Sequence, residues 1–363
     1  MENLMEPYWL WLCQNKEIYR PHLAVLIQAF GNPKAVFEGS EREIWDCRGL
    51  NEGQKSGLLR SRRFFDYEKS VHELENTGIR FISCEHEDYP KRLKNICDFP
   101  FGIFLKGALP DEDQATVAVV GARRCSYYGK HQAEAIGEAL AMAGAQVVSG
   151  MAMGIDGYAQ WAAVRAGGAS FGVLGCGVDV CYPARNRQLY ESLCVRGGVF
   201  SEYPPGREPL ALHFPMRNRL ISGMADCLVV VEARERSGSL ITADLALEQG
   251  VDVIAVPGRT DDPLSVGCNR LISQGAGIFL NCEELLESLN LRLIKKKKSK
   301  KSEILLETKE DLLYSCVDFV PKSLHEITEK AGLPPQEVMA VLTSLEVKGL
   351  IEEPMKNYYT RLN

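Results

Sequence analysis

The 363-residue sequence has no apolar run close to the roughly 18–20 residues that a membrane-spanning helix requires. Its first twenty residues also lack the basic start and the unbroken apolar stretch of a secretory signal peptide. These absences predict a cytoplasmic protein that makes no use of a membrane.

Cysteine is not scarce, since the chain has 12, but no CxxC pair occurs. Cys176 and Cys181 form the closest pair, and no His or third Cys stands near them. The six histidines include no pair at metal-ligand spacing. We therefore expect reduced cysteines that pack as small apolar residues, and no metal site.

Three nucleotide and catalytic motifs are also missing. The loop at 121–130 lacks the GxGxxG pattern of dinucleotide sites, and no GxxxxGK[ST] string occurs. A GxSxG nucleophile elbow is also absent, because the string GASFG at 168–172 opens a predicted strand and does not follow one. A dinucleotide cofactor, a P-loop ATPase and a serine hydrolase are thereby disfavoured, and we expect no cofactor. The formal net charge of −6 argues against long-range attraction of nucleic acid, so any polyanion must bind a restricted basic surface.

The pattern of residues divides the chain into five segments. Residues 1–78 indicate a small helical domain of the SAM or helix-hairpin-helix type, and 79–114 a connector. Residues 115–292 indicate an α/β domain, and 293–302 a basic linker that contains KKKKSKK. Residues 303–363, with three helices followed by a hairpin, predict a winged-helix domain.

The role of the predicted winged helix stays open. Its expected recognition helix, 335–348, carries Glu337 and Glu346 and a single cation, Lys348. Helices that read the major groove usually present several basic or amide side chains. Duplex DNA, a protein partner and the α/β domain itself are all candidate targets.

Six β-rich runs alternate with helical stretches from Thr116 onward: TVAVVG, AQVVSG, SFGVLG, GGVFSE, CLVVVE and VDVIAVPG. Nearly continuous apolar strands separated by helices predict a Rossmann-like, doubly wound and mostly parallel sheet that is covered on both faces. Ligands of such sheets bind outside the carboxyl ends of the strands. The loops at those ends are therefore the places to seek a site.

The first two of these loops are suited to anions. Arg123 and Ser126 follow the first strand, beside the amides of a helix start. Ser149, Gly150 and Gly154 follow the second, where a hydroxyl and flexible glycines are able to cradle a phosphate. An ordinary tight turn would explain the glycines equally well.

The third loop contains Gly177, Tyr182 and Arg185, an aromatic side chain among positive charges. A nucleic-acid base stacked on such a side chain is stabilised by about 1–3 kcal/mol whatever its sequence. The alternative is a half-buried loop aromatic with no ligand.

Two further helix starts share this composition. Arg217, Asn218 and Arg219 stand in the first turn of one predicted helix, where cations oppose the helix dipole unless an anion is bound. Gly238 and Ser239 open another. A surface network of arginines with acids is the alternative for the first group. Together the loops predict a groove for a polyanion.

The motifs resemble those of the bacterial DNA-processing protein A family, also called DprA or Smf. They occur in order over about 160 residues: VGARRCSYYG, SGMAMGIDG, GCGVDVCYPARN, SEYPPG, FPMRNRLISG, VVEARERSGSLITA, AVPG and GCNRLISQGA. The resemblance places Arg123 on the arginine of the first motif and Ser149 with Gly150 on a phosphate pocket. It places Arg217 and Arg219 on a third basic element.

The resemblance implies a non-catalytic protein that binds single-stranded DNA, usually as a homodimer. It implies protection of incoming or exposed strands during natural transformation and recombination, and loading of the RecA recombinase onto them. The chain departs from the family pattern at three positions, Met153, Gln160 and Ala184.

A second hypothesis is a nucleotide-binding enzyme similar to phosphoribohydrolases. It would use Glu232 and the turn Ser237-Gly238-Ser239, although the PGGxGT loop of such enzymes is absent. Asp156, Asp179 and Glu232 are the acids near the predicted groove, and a lone carboxylate there more often caps a helix or pairs with arginine. Ligand length separates the hypotheses, because an enzyme saturates with a mononucleotide and a groove needs linked phosphates.

Overall fold

The computed structural model describes residues 4–292, 308–318 and 320–362. Its contacts define two compact units. The first comprises the described residues up to 124 and from 132 to 292, and the second those beyond 307 together with 125–131. The predicted basic linker at 293–302 lies outside the described residues.

A nine-stranded sheet runs through the first unit. Its strands are β1 (Arg80–Ser83), β2 (Gly102–Gly107), β3 (Thr116–Val120), β4 (Gln146–Ser149), β5 (Ser170–Val173), β6 (Gly197–Ser201), β7 (Cys227–Val230), β8 (Asp252–Ala255) and β9 (Gly277–Ile278). Their order across the sheet is β1-β2-β6-β5-β4-β3-β7-β8-β9. All strands of the sheet except β1 and β2 are parallel to one another. The predicted mostly parallel, Rossmann-like sheet is therefore confirmed.

The central strands are buried along their whole length, as their apolar sequences predict. Helices connect and cover them: α8 (Tyr127–Met142), α9 (Ile155–Arg165), α10 (Arg187–Arg196), α11 (His213–Gly223), α12 (Gly238–Glu248), α13 (Val266–Ser273) and α14 (Cys282–Ser288). The six strands predicted for this region all form with helices between them, and their ends differ from the prediction by a few residues. The helix that was predicted to begin with Arg217, Asn218 and Arg219 starts at His213, so these residues lie beyond its first turn, contrary to the sequence-based expectation.

The residues before the sheet form a helical layer. Its helices are α1 (Glu6–Gln14), α2 (Arg20–Phe30), α3 (Pro33–Glu38), α4 (Glu41–Asp46), α5 (Glu52–Phe64) and α6 (Tyr67–Asn76). They pack around buried Trp9, Trp11, Leu12 and Leu26. This core also includes Phe104 of β2, so the helical part and the sheet share apolar contacts.

Residues 79–114, predicted from the sequence to be a connector, contain β1, the short helix α7 (Lys91–Lys94) and β2. Both strands are antiparallel members of the main sheet, since β1 pairs with β2 and β2 pairs with β6. Both strands are short, and β2 is joined to the main sheet through β6, which lies about ninety residues further along the chain. The local sequence pattern therefore does not predict β1 and β2 as strands of the main sheet.

The strand order reverses direction between β3 and β7. From β3 the chain proceeds to β4, β5 and β6 on one side, and then returns to place β7, β8 and β9 on the other. A crevice opens at such a switch point, outside the carboxyl ends of the two strands. The loops after β3 and β7 are thus the expected walls of a ligand site.

The second unit is a winged helix, as predicted. It contains α15 (Thr308–Cys316), β10 (Lys322–Ser323), α16 (Leu324–Ala331), α17 (Pro335–Val347), β11 (Ile351–Met355) and β12 (Tyr358–Arg361), with strand order β10-β12-β11. Lys348, just beyond α17, binds the Glu310 carboxylate through two contacts of 2.6 Å. The one cation predicted for this recognition helix is therefore already ion-paired. Within 4–292, 308–318 and 320–362, no helix has the length and apolar character needed to cross a bilayer.

Helices α8 and α9 approach each other closely at Gly137. A Cβ added there would lie 2.2 Å from the carbonyl oxygen of Ala159, which belongs to the backbone and is unable to move freely. Gly137→Ala should therefore lower the free energy of unfolding by about 1–3 kcal/mol. Denaturant unfolding measures the change.

The matched control is Gly57→Ala in α5. There the added Cβ would meet only the end of the flexible Glu17 side chain, at 2.9 Å. Helix propensity then favours alanine, by about 0.5–1 kcal/mol. Equal effects of the two substitutions would contradict the close packing of α8 on α9.

Candidate nucleic-acid interface

An open groove of 680 Å³ lies at the switch point. Its walls come from the loops that follow β3, β4, β5, β6 and β7 and from α11 and α12. The lining residues are Val120, Gly121, Arg123, Ala152, Asp156, Tyr182, Pro209, Ala211, Phe214, Pro215, Arg217, Asn218, Ile221, Arg236, Ser237, Gly238, Ser239 and Thr242. Six of the predicted site residues are among them: Arg123, Tyr182, Arg217, Asn218, Gly238 and Ser239.

The floor of the groove contains the nearly buried side chain of Arg217, which is 4% exposed. Its Nη1 donates to the carbonyl oxygen of Gly150 at 3.0 Å and to that of Val173. Burial lowers the pKa of Arg217 to about 10, an effect that the nearby Asp156 carboxylate partly offsets. A cation is thus held at the ends of β4 and β5 with few of its donors committed to acids.

An internal carboxylate occupies the loop after β4. The Gly150 amide donates to Asp156 Oδ2 at 3.1 Å, and Asp156 is nine-tenths buried. Burial raises the pKa of Asp156, while the Arg217 charge and the hydrogen bonds from the Gly150 and Ala152 amides lower it. Asp156 is therefore an arginine partner, one of the two roles expected of a lone acid in this region.

The predicted phosphate cradle at Ser149 and Gly150 has its donors already engaged. Ser149 is fully buried and donates its hydroxyl to the Val119 carbonyl at 2.6 Å. A Cβ on Gly150 would lie within 3 Å of both Arg217 and Asp156. Ser149 and Gly150 thus support the floor of the groove from behind, and neither of them is among the residues that line it.

Aromatic rings and arginines meet on one wall. The Tyr182 and Phe214 ring centroids are 5.4 Å apart, and Tyr182 is 41% exposed. The guanidinium carbon of Arg123 lies 5.5 Å from the Phe214 centroid, and that of Arg217 lies 5.9 Å from it. Both distances fall within the range of cation–π attraction. Phe214 thus joins the aromatic and the basic parts of the groove.

The opposite wall is the start of α12. Ser237 caps this helix by accepting from the Ser239 amide, and a Cβ on Gly238 would meet nothing within 4 Å. The Asn218 amide donates to the Gly238 carbonyl at 3.3 Å, and exposed Arg236 stands just before the cap. A helix N-terminus with small residues and an arginine favours an anion.

Three other predicted residues serve the backbone or the surface. Gly154 has φ +79°, and a Cβ there would lie 2.2 Å from the Ala122 carbonyl, so it packs against the loop of Arg123. The Gly177 amide donates to the Arg207 carbonyl at 2.9 Å. Arg185 is exposed in a single 3₁₀ turn after Tyr182.

Ser126 lies at the start of α8. Its hydroxyl accepts from the Gly129 amide at 3.0 Å, in the manner of a helix cap.

Arg219 points away from the groove, contrary to the sequence-based expectation. It is 2% exposed and binds both oxygens of Glu202, at 3.0 and 2.7 Å. Its Nε also lies 2.7 Å from Asp98 Oδ2. The alternative interpretation, arginine in a network with acids, is therefore correct for Arg219, although the network is buried and not superficial.

Two residues of the site were missed, Phe214 and Arg236, and Ser237 was named only for the enzymatic hypothesis. Arg236 and Ser237 adjoin the predicted pair Gly238 and Ser239 and share their composition. Phe214 precedes the arginines of α11 by one helical turn, which was a detectable signal. In the described residues no cluster of three or more His, Cys, Asp or Glu side chains is arranged to hold a metal.

Comparison with known proteins adds to this geometry. Residues 80–290 match the model of the family described as DNA recombination-mediator protein A, and residues 297–353 match that of the DprA winged-helix domain. The chain belongs to the DNA recombination-mediator protein A family.

Individual members of this family are similar over much of their length. Protein Smf of Escherichia coli is 37% identical over 312 residues, which is 82% of this chain and 83% of the relative. DNA processing protein DprA of Streptococcus pneumoniae is 43% identical over 234 residues, covering 64% of this chain and 83% of the relative.

Two solved structures of the family are also similar. DprA from Streptococcus pneumoniae has a TM-score of 0.67 at 33% identity, covering 77% of this chain and 97% of that one. DprA from Helicobacter pylori, whose structure concerns its single-stranded DNA binding mode, has a TM-score of 0.53 at 27% identity. That match covers 58% of this chain and 95% of the other.

Arg219 and Arg123 should respond to substitution in different ways. Arg219→Ala would leave the Glu202 carboxylate buried without its partner, so the free energy of unfolding should fall by about 3–5 kcal/mol. Arg123 is exposed, and Arg123→Ala should change that quantity by about 0.5 kcal/mol or less. Equal stability of the two variants in denaturant unfolding would show that the Arg219 pair adds nothing.

Proposed function

We propose that the groove binds a single strand of DNA without catalysing a reaction on it. One observation carries this proposal: arginines, two neighbouring aromatic rings and a helix N-terminus converge on one open groove at the switch point of the sheet. Phosphates would contact Arg123, Arg217, Arg236 and the start of α12. Bases would stack on Tyr182 and Phe214.

The remaining predicted residues have supporting parts in this proposal. Gly154 packs against the Arg123 loop, and the Gly150 amide holds the Asp156 carboxylate near Arg217. Ser149 joins the ends of β4 and β3 through its hydrogen bond to Val119. Arg185 is placed to meet the strand beyond Tyr182. Family membership and the single-stranded DNA binding described for the Helicobacter pylori relative support the same ligand.

We also propose that the protein protects exposed or incoming strands in the cytoplasm, during natural transformation and recombination, and delivers the RecA recombinase to them. The description of the family as a recombination mediator supports this role. A homodimer, which the resemblance implies, would extend the binding surface across two grooves related by a twofold axis. Light scattering tests it, because a dimer must show twice the mass of one chain.

The enzymatic alternative finds no support in the geometry. A nucleotide-cleaving enzyme needs its acid at the ligand, whereas Glu232 is 1% exposed and is not among the groove-lining residues. The volume of the groove does not decide the matter, since it lies within the usual range for small-molecule pockets. Ligand length does decide it.

Binding should require linked phosphates. The affinity for fluorescent oligo-dT should rise with the length of the oligonucleotide and fall with salt. A plot of log K against log salt concentration should have a slope of about −0.7 for each phosphate that is neutralised. Duplex and a nucleoside monophosphate should compete poorly. Saturation by the monophosphate would replace this proposal with the enzymatic one.

The exposed arginines supply the test of the site. Arg123→Ala with Arg236→Ala should weaken binding of all sequences by about tenfold or more, because each substitution removes a charged hydrogen bond to phosphate. The salt slope should become shallower by about 0.7 for each phosphate that is no longer neutralised. Arg42→Ala is the control, since Arg42 is an exposed cation of α4. Undiminished binding by the double variant would move the site elsewhere.

A further inference from the structure

The segment that follows β6 joins the groove to the helical part of the first unit. Pro209 and Ala211 in this segment line the groove. Arg207, two residues before Pro209, does not line the groove and turns toward the helices instead. This segment therefore contacts the ligand site at one point and the loop between α1 and α2 at another.

The contact with the helical part is made by the Arg207 guanidinium. Its Nη1 donates to the Lys16 carbonyl at 2.8 Å, and its central carbon lies 4.8 Å from the centre of the Tyr19 ring. A planar guanidinium stacks on an aromatic face while it donates hydrogen bonds from its edge. Lysine has no such plane, so it would keep the charge of Arg207 but not this geometry.

The backbone of the same segment holds the loop after β5. The Arg207 carbonyl accepts from the Gly177 amide at 2.9 Å. One residue earlier, the Gly206 amide donates to both oxygens of Asp179, at 2.8 and 2.9 Å. This loop ends at Tyr182, the exposed aromatic of the groove. A displacement of Arg207 would therefore reach Tyr182 through three hydrogen bonds.

Tyr19 makes a second connection through His213, the first residue of α11. The Tyr19 and His213 ring centroids are 5.8 Å apart, and His213 stacks on Tyr203 at 4.1 Å. His213 is 1% exposed, and its Nδ1 lies 3.1 Å from the Gly175 carbonyl oxygen. The next residue is Phe214, so Tyr19 supports both rings of the aromatic wall.

We infer that Arg207 and Tyr19 are positioning residues, through which the helical part sets the place of the aromatic wall in the groove. The inference rests on the proposed function, in which this wall stacks the bases of a single strand. Neither residue lines the groove, so both act on the strand through the residues that they hold. The helical part therefore contributes to binding by holding the groove residues in place, without contacting the DNA itself.

The test compares four variants of the full chain in oligo-dT titrations at several salt concentrations. Arg207→Ala, Arg207→Lys and Tyr19→Leu should each lower affinity by roughly three- to tenfold, the size common for residues coupled to a site without touching its ligand. Their salt slopes should equal that of the wild type, because every phosphate keeps its partner. Tyr19→Phe keeps the ring and should bind like the wild type. Arg42→Ala again controls for the removal of a charge.

Hydrogen exchange gives a readout that does not require DNA. Arg207→Ala should accelerate exchange of the Gly177 and Gly206 amides, whereas the amides between β3 and β4 should stay protected. Unchanged exchange at these two amides would overturn the inference even if no strand binds. General acceleration across the sheet would also overturn it, because Arg207 would then be a global stabiliser.

The binding outcomes separate this inference from the proposed function. No binding of oligo-dT by the wild type would sink the proposed function itself. Wild-type binding with unaltered affinity in Arg207→Ala and Tyr19→Leu would sink only the inference. A salt slope reduced by about 0.7 in Arg207→Ala and restored in Arg207→Lys would make Arg207 a direct phosphate ligand, which also contradicts a positioning role.

Discussion

The Arg217 guanidinium donates to the carbonyl oxygens of Gly150 and Val173, and in this way it joins α11 to the ends of β4 and β5. A buried cation is unfavourable unless its donors are satisfied and its charge is balanced. Here the two carbonyls and the nearby Asp156 carboxylate meet that requirement. The same hydrogen bonds fix the position of α11 over the strand ends. Phe214 and Asn218 therefore face the loops after β3 and β7, and the groove takes its shape from this arrangement.

The regular part of the fold was predictable because its signal is local. Parallel strands that are buried on both faces are apolar throughout. The six strands from β3 to β8 and the helices between them could therefore be predicted from the local sequence pattern. Strands β1 and β2 could not, because β2 joins the sheet by pairing with β6 far along the chain and β1 pairs in turn with β2. In the site, residue types were predictable but side-chain directions were not. Arg217 and Arg219 are two apart on one helix, about 200° around its axis, and thus reach opposite sides. That spacing could have separated the groove arginine from the one paired with Glu202.

The distribution of charge reconciles an acidic chain with an anionic ligand. Arg219 is neutralised inside the protein by Glu202 and Asp98 and adds nothing to the groove. Arg123 and Arg236 are exposed on its walls, and the α12 amides add partial positive charge without any change in the formal total of −6. Binding would then depend on charge presented at short range. Screening by salt acts on those exposed groups, while the buried pairs that hold the fold are screened far less.

The antiparallel pair β1 and β2 has a consequence for modularity. Strand β2 covers the edge of β6, whose amides and carbonyls would otherwise be free to pair with another chain, and β1 pairs with the outer side of β2. Arg80 is the first residue that pairs in the main sheet, and the match to the family model also begins there. A fragment cut at residue 115 would carry an open sheet edge and would tend to aggregate. A truncation that removes the preceding helices should therefore end upstream of β1, so that the antiparallel pair β1 and β2 stays with the sheet.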